Sequence, residues 1–311
     1  MKIDVIQAIS LLRQGEVVAL PTETVYGLAA CLDQPEAIKR VFELKGRPST
    51  NPLIIHVAKK SEIENYTSQT LPDFYDLAEA FWPGPLTLVL PILTDKVPSI
   101  VCANLPTAAF RIPAHDLTLE VLASTGPLVM PSANLSGFPS STSAEHVEQD
   151  FGLHFPVLNG GPCQKGLEST ILYYQTTSWL MLRRGALTSA DLEKVLGYQP
   201  QTVTITNSDK PLCPGQLFRH YAPKAKLILG DYAMIEDAPY ILGFNEKIYP
   251  ATSKVLYLGS IEDAAQVAAH LYDALRQLDL ENASWAWVDM DFPDQGLWKT
   301  IADRLTRASR Q

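Results

Sequence analysis

The chain has 311 residues, 46% hydrophobic and 19% charged, a composition that argues against large-scale disorder and leaves room for two domains with cores of their own. A net charge of -9 argues against a protein that simply coats nucleic acid, since such binding rests on many lysine and arginine contacts to phosphates. There is no long apolar run, and Met1-Lys2-Ile3-Asp4 passes straight into an amphipathic pattern, so neither a membrane span nor a secretory signal is expected and the chain reads as cytosolic.

Helical spacing covers residues 5–12, a buried strand follows at 17–20, and 36–44 returns to helix. Strand-like runs come at 53–57, 86–90, 108–112, 128–130, 155–158, 169–173 and 179–182, with helical patterns at 73–81, 117–124, 144–151 and 190–196. This alternation predicts a mixed, twisted α/β sheet covered by helices, its all-apolar strands buried on both faces. Residues 1–198 are thus expected to form one domain. Residues 199–225 carry Pro200, Pro211, Pro214, Gly215 and Pro223 with little apolar periodicity and read as a linker or long ordered loop. It has 3 Lys+Arg against 1 Asp+Glu over 200–225, between bodies with 14 against 20 and 8 against 13. Residues 226–311 form a smaller α/β unit, with strands at 227–229, 240–242, 255–258 and 285–288 and helices at 264–278 and 297–308. Cys31, Cys102, Cys163 and Cys213 are far apart and read as reduced structural thiols rather than metal ligands.

The segment Lys45-Gly46-Arg47-Pro48-Ser49-Thr50-Asn51-Pro52 sets two cations beside a glycine, between a helix and an apolar strand. Its two prolines limit the freedom that the cations would lose on binding a phosphate chain, so it is either an anion holder or a solvated basic turn. Pro21-Thr22-Glu23-Thr24-Val25-Tyr26-Gly27-Leu28 follows a strand directly, where α/β sheets bind ligands. Its threonines either face a ligand or satisfy turn backbone. Pro131-Ser132-Ala133-Asn134-Leu135-Ser136-Gly137 is a second small-residue loop after a strand, with Ser140 close behind. Arg111 stands inside the apolar run Phe110-Arg111-Ile112-Pro113 and needs an anionic partner, either an internal carboxylate or a ligand carboxylate. His56 is either a hydrogen-bonded core residue or a catalytic base. Arg183-Arg184-Gly185 adds cations at a strand end, and Glu168-Ser169-Thr170 opens another strand. Trp82-Pro83-Gly84-Pro85 is a rigid helix-to-strand turn. No Walker-type lysine loop, nucleophile elbow or dinucleotide fingerprint occurs.

Taken in order, these motifs resemble the YrdC-domain family of threonylcarbamoyl-adenylate synthases, and Pro214-Gly215 with Arg219-His220-Tyr221-Ala222-Pro223 resembles the linker of its long, two-domain form. The resemblance implies a YrdC-like twisted mixed sheet plus a smaller Rossmann-like C-terminal domain, with the linker as a lid. It implies condensation of L-threonine, bicarbonate and ATP into threonylcarbamoyladenylate with release of pyrophosphate. Magnesium would accompany ATP, and a transferase partner would carry the threonylcarbamoyl group to an adenosine beside the tRNA anticodon. Lys45, Arg47, Asn51, Thr107, Ser132, Ser140, Arg183, His220 and Tyr221 match ATP positions, with Lys45 and Arg47 the catalytic pair. Thr24, His56, Arg111, Met130 and Ser169 match threonine positions. Cys213 departs from the family's usual serine, and Arg184 from its common proline. An RNA- or ribosome-binding module and a carbamoyl-transferring maturation factor are the rival readings; direct tRNA binding is expected to be weak.

Overall fold

The computed structural model describes residues 1–203, 220–231 and 238–310. Its first sheet is built from β1 Lys2–Ile3, β2 Val18–Leu20, β3 Gly27–Cys31, β4 Ile54–His56, β5 Leu86–Pro91, β6 Thr107–Arg111, β7 Leu128–Val129, β8 Val157–Leu158, β9 Thr170–Gln175 and β10 Ser178–Arg183. These lie in the order β1-β8-β2-β3-β7-β4-β6-β5-β9-β10, mixing parallel pairs such as β4 with β6 and antiparallel pairs such as β5 with β6. Helices α1 Val5–Arg13, α2 Pro35–Lys45, α3 Phe74–Phe81, α4 Ser99–Cys102, α5 Asp116–Thr125, α6 Ala144–Phe151 and α7 Ser189–Leu196 pack around it. The main core joins Leu28, Ile55, Leu88, Phe110 and Trp179 from one sheet face to Ile38, Val41 and Leu77 from helices.

A second sheet comprises β11 Lys226–Gly230, β12 Tyr240–Phe244, β13 Lys254–Gly259 and β14 Trp285–Asp289, in the order β11-β14-β12-β13 with every pair parallel. Parallel strands need crossovers, and α8 Ala264–Leu280 supplies the one between β13 and β14, while α9 Trp298–Ala308 follows β14. Among the described residues no helix is long and apolar enough to cross a membrane.

Several elements depart from the sequence expectation, among them β1, α4, β3 and β8. Strand β3 occupies the middle of the large sheet although Gly-Leu-Ala-Ala-Cys has little β preference, because its pairing with β2 and β7 supplies what propensity does not. Residues 155–158 contribute only Val157 and Leu158 to a strand. Cys31, Cys102 and Cys163 are free and buried; Cys213 lies outside the described residues.

Candidate active site

The face of the large sheet opposite its main core carries a small apolar patch of Ile54, Val89, Ala109, Ile171 and Leu182. Side chains alternate along a strand, so residues two positions from this patch lie on the same face: His56 on β4, Arg111 on β6, Thr87 on β5 and Ser169 just before β9. His56 pairs with Arg111 across β4 and β6, which fixes their adjacency. A register shift between Met181 and Arg183 in β10 sets Arg183 opposite Ile171, at the end of the same polar row. Alternation thus floors one sheet face with apolar residues and lines its rim with cations and hydroxyls.

Helix α2 ends at Lys45 because Gly46 takes the left-handed conformation (φ 60°) that terminates helices, and the turn places Lys45 and Arg47 on either side of it. Lys45 is buried, and its Nζ donates to the Ser132 carbonyl at 2.5 Å and the Asn134 carbonyl at 2.6 Å, tying the two anion-type loops together. Burial, then the neighbouring Arg47, hold its pKa well below that of an ordinary lysine. The Arg47 guanidinium donates to the carbonyls of Asn51 at 3.3 Å and Pro52 at 2.8 Å. Both cations are therefore buried and engaged although Gly46 and residues 48–50 are exposed, and the reading of Lys45 and Arg47 as merely solvated is set aside.

Arg111 donates from Nη2 to Glu23 Oε1 at 2.7 Å and from Nε to the Gly84 carbonyl at 3.2 Å; its Nη1 has no hydrogen-bond partner among the described residues. An internal carboxylate thus orients the guanidinium by one edge and leaves the other available. The Trp82-Pro83-Gly84-Pro85 turn acts here too, since it presents the Gly84 carbonyl. His56 Nδ1 lies 3.2 Å from the Ile54 carbonyl, which can only accept, so Nδ1 carries the proton and Nε2 is an acceptor. Burial and the charge on Arg111 lower the His56 pKa to about 3. Ser169 Oγ lies 2.7 Å from Thr87 Oγ1 and accepts from Arg183 Nη2 at 3.1 Å.

A cavity of about 60 Å³ joins these groups, lined among others by Lys45, Arg47, His56, Arg111, Met130 and Ser132. Asn134, Ser136, Ser140, Glu168, Ser169, Arg183, His220 and Tyr221 add to its polar wall. Eleven of the fourteen expected site residues are thus brought together; Thr24, Asn51 and Thr107 are not on the lining. Thr24 is fully buried against Thr22 at 2.8 Å, while Thr22 takes the turn-satisfying role by accepting from the backbone of Thr24 and Val25. Asn51 acts through its carbonyl on Arg47. Thr107 begins β6 while Arg111 ends it, a separation of about 13 Å at about 3.3 Å per residue, so Thr107 stands away from Arg111 on the same strand. Arg219 lies outside the described residues.

Sequence reading assigned no role to Glu23, Thr87, Asn134 or Glu168, all of which support the site. Thr87 carried one usable signal, a hydroxyl in an otherwise apolar strand. Burial alone would raise the Glu168 carboxyl, but Arg304, Arg183 and the Ser140 hydrogen bond together outweigh it and hold its pKa near about 2. Among the described lining residues Glu168 is the sole carboxylate, and its oxygens already accept from Ser140, Tyr272 and Arg304. No group of three or more metal-ligating side chains occurs among the described residues.

These shifts set an acid limit. Two histidines on the cavity, His56 and His220, have pKa values lowered from 6.5 to about 3 chiefly by desolvation, so the unfolded chain binds more protons and stability falls as pH drops from about 6.5 toward 3. Glu168 adds to the loss between about 4.5 and 2. Urea midpoints measured from pH 7 to pH 4 should fall steadily, and His56→Gln should flatten the slope; an unchanged slope would show that His56 is not buried neutral.

Fold and site together define an α/β enzyme with a cation-lined cavity suited to polyanionic and carboxylate substrates. Residues 10–185 match the Sua5/YciO/YrdC family, described as telomere recombination, and residues 187–310 match the C-terminal domain of threonylcarbamoyl-AMP synthase. The threonylcarbamoyl-AMP synthase of Bacillus subtilis is 41% identical over 97% of this chain and 92% of its own. That of Schizosaccharomyces pombe is 32% identical over 97% and 87%. The crystal structure of Pyrococcus abyssi Sua5 complexed with L-threonine superposes with a TM-score of 0.90 at 35% identity, covering 98% of this chain and 94% of the other. The chain belongs to the threonylcarbamoyl-AMP synthase family, in its two-domain form, and that membership makes it an enzyme of the nucleotidyltransferase class.

Proposed function

We propose that this chain condenses L-threonine, bicarbonate and ATP in the single cavity described, forming threonylcarbamoyladenylate and pyrophosphate. The observation that carries this reading is the convergence of Lys45, Arg47, Arg111 and Arg183 with the hydroxyls of Ser132, Ser140 and Ser169 on one cavity. The threonine nitrogen adds to bicarbonate carbon with loss of water, and a carbamate oxygen then attacks the α-phosphorus of ATP as pyrophosphate leaves. Both partners are anions, so cations offset their repulsion and the protein acts by positioning. Arg111, through its outward edge, takes the threonine carboxylate, and His56 Nε2 accepts from the threonine ammonium or hydroxyl. Met130 and Ser169 shape that side. Lys45, Arg47, Ser132, Ser140 and Arg183 take the triphosphate side.

Magnesium enters as the ATP complex, held by phosphate oxygens and water; the engaged Glu168 carboxylate offers no place in its coordination shell. The product serves modification of an adenosine beside the tRNA anticodon, with a separate transferase as the consuming enzyme. Pyrophosphate release that requires both threonine and bicarbonate is the direct test; release with either omitted at the full rate would refute the reading.

His220 and Tyr221, on the lining of the cavity, close over the nucleotide. Closure excludes water from an adenylate that hydrolyses easily. Tyr221→Ala should therefore release pyrophosphate faster than it yields intact threonylcarbamoyladenylate, measured as product per pyrophosphate. A ratio equal to the parent's would remove Tyr221 from this role.

A further inference from the structure

The C-terminal unit reaches into the first domain at the level of the cavity. Tyr272 of α8 donates to both Glu168 oxygens, at 3.1 and 3.0 Å, and Arg304 of α9 donates from Nε to Glu168 Oε2 at 3.1 Å. The same two side chains pack on the cavity-lining Tyr221: its ring stacks on Tyr272 at 5.3 Å and an interplanar angle of 22°, and the Arg304 guanidinium lies 5.0 Å from its centroid. Ser140 donates to Glu168 Oε1 at 2.7 Å from the other side. Tyr272 and Arg304 are both buried.

We propose that Tyr272 and Arg304 are positioning residues for the nucleotide half of the active site, acting through the Glu168 carboxylate and the Tyr221 ring to set the Ser140 hydroxyl and seat the closing corner. The inference rests on the assignment of that half to ATP. Its physical basis is saturation: three donors from three elements hold one buried carboxylate, and a charge so held stays where it is put. With one donor gone, Glu168 is no longer fixed from three sides, and the Ser140 hydroxyl that it holds loses its place on the nucleotide side. The threonine half is held differently. Arg111 is oriented by Glu23 and Gly84, and His56 by Ile54, with no C-terminal residue among these contacts. The C-terminal unit therefore tunes ATP and leaves threonine alone, a split that mere domain docking does not produce.

The test uses the full chain and compares Tyr272→Phe, which keeps the stacked ring and removes the hydroxyl, with Arg304→Lys, which keeps the charge and removes the planar fork. Asp273→Asn is the docking control, since Asp273 accepts from His146 Nε2 at 3.0 Å across the same domain contact without touching the cavity lining. Calorimetry with a non-hydrolysable ATP analogue, calorimetry with threonine, and the ATP dependence of pyrophosphate release are measured for each, with urea midpoints as a check on folding. Tyr272→Phe should weaken the analogue by about 10- to 100-fold, the range for losing a hydrogen bond to a charged group, with threonine affinity changed less than about twofold. Arg304→Lys should show the same split, and Asp273→Asn neither effect. Parental analogue binding in both cluster variants overturns the inference, as does a parallel loss of analogue and threonine. Failure of the parent chain to bind the analogue at all would instead sink the assignment of ATP to this half.

Discussion

Lys45→Ala combined with Arg47→Ala should leave the chain folded and abolish measurable pyrophosphate release. Each residue is a buried cation at the cavity, and losing one member of a charge-assisted contact costs about 2 kcal/mol or more, so the pair lowers kcat/KM for ATP by about a thousandfold or more at about 1.4 kcal/mol per tenfold. Lys45 also ties Ser132 and Asn134 to the end of α2, and its loss loosens the loop that faces the phosphates. The sign of its pKa shift adds a second readout. Because burial makes Lys45 give up its proton below the ordinary lysine range, an anion arriving beside it restores the charged form. ATP binding should therefore take up protons as pH rises through the shifted pKa, and ATP affinity should fall in the same window. Calorimetry in buffers of different ionisation enthalpy measures that uptake. Near-parental turnover in the double variant would return the loop to a purely structural role.

Loss of Arg111 should weaken threonine by roughly thirty- to several-thousand-fold, the equivalent of about 2 to 5 kcal/mol for a desolvated charge contact, while ATP affinity changes little. Arg111→Ala alone strands the buried Glu23 carboxylate, at a stability cost of about 3 to 5 kcal/mol, so the measurement pairs Arg111→Met with Glu23→Gln. The Glu23→Gln single variant then reports what orientation of the guanidinium contributes. Its expected effect on threonine is smaller than that of the pair, because the Gly84 carbonyl still holds Nε. Unchanged threonine affinity in the folded double variant would show that Glu23 is the only anion Arg111 serves.

Much of the candidate site was legible because its chemistry is local. Lys45, Gly46 and Arg47 are consecutive, and the glycine that ends α2 is the reason two cations flank one turn. Arg111 and His56 stood out because a charge or an imidazole in an apolar strand demands a partner. Their adjacency was not legible, since β4 and β6 are separated in sequence and meet only through sheet register. Thr107, matched to a nucleotide position, begins β6 and is not among the described residues that line the cavity. Strand β3 was missed because its five small and apolar residues have weak local preference, and only flanking strands decide their conformation.

From composition, periodicity and motif order alone came the α/β class, the two-unit organisation, the family resemblance and the small set of cations and hydroxyls that do the chemistry. Those features depend on hydrophobic period and on residues within a turn or strand of one another. Tertiary structure supplied the rest: the polar row across four strands, the Glu23 support of Arg111, and the grip of Tyr272 and Arg304 on Glu168 from 104 and 136 residues away. A buried carboxylate accepts any donor that geometry delivers, so its partners are chosen by how the two sheets and their helices pack, and sequence spacing carries no record of that choice.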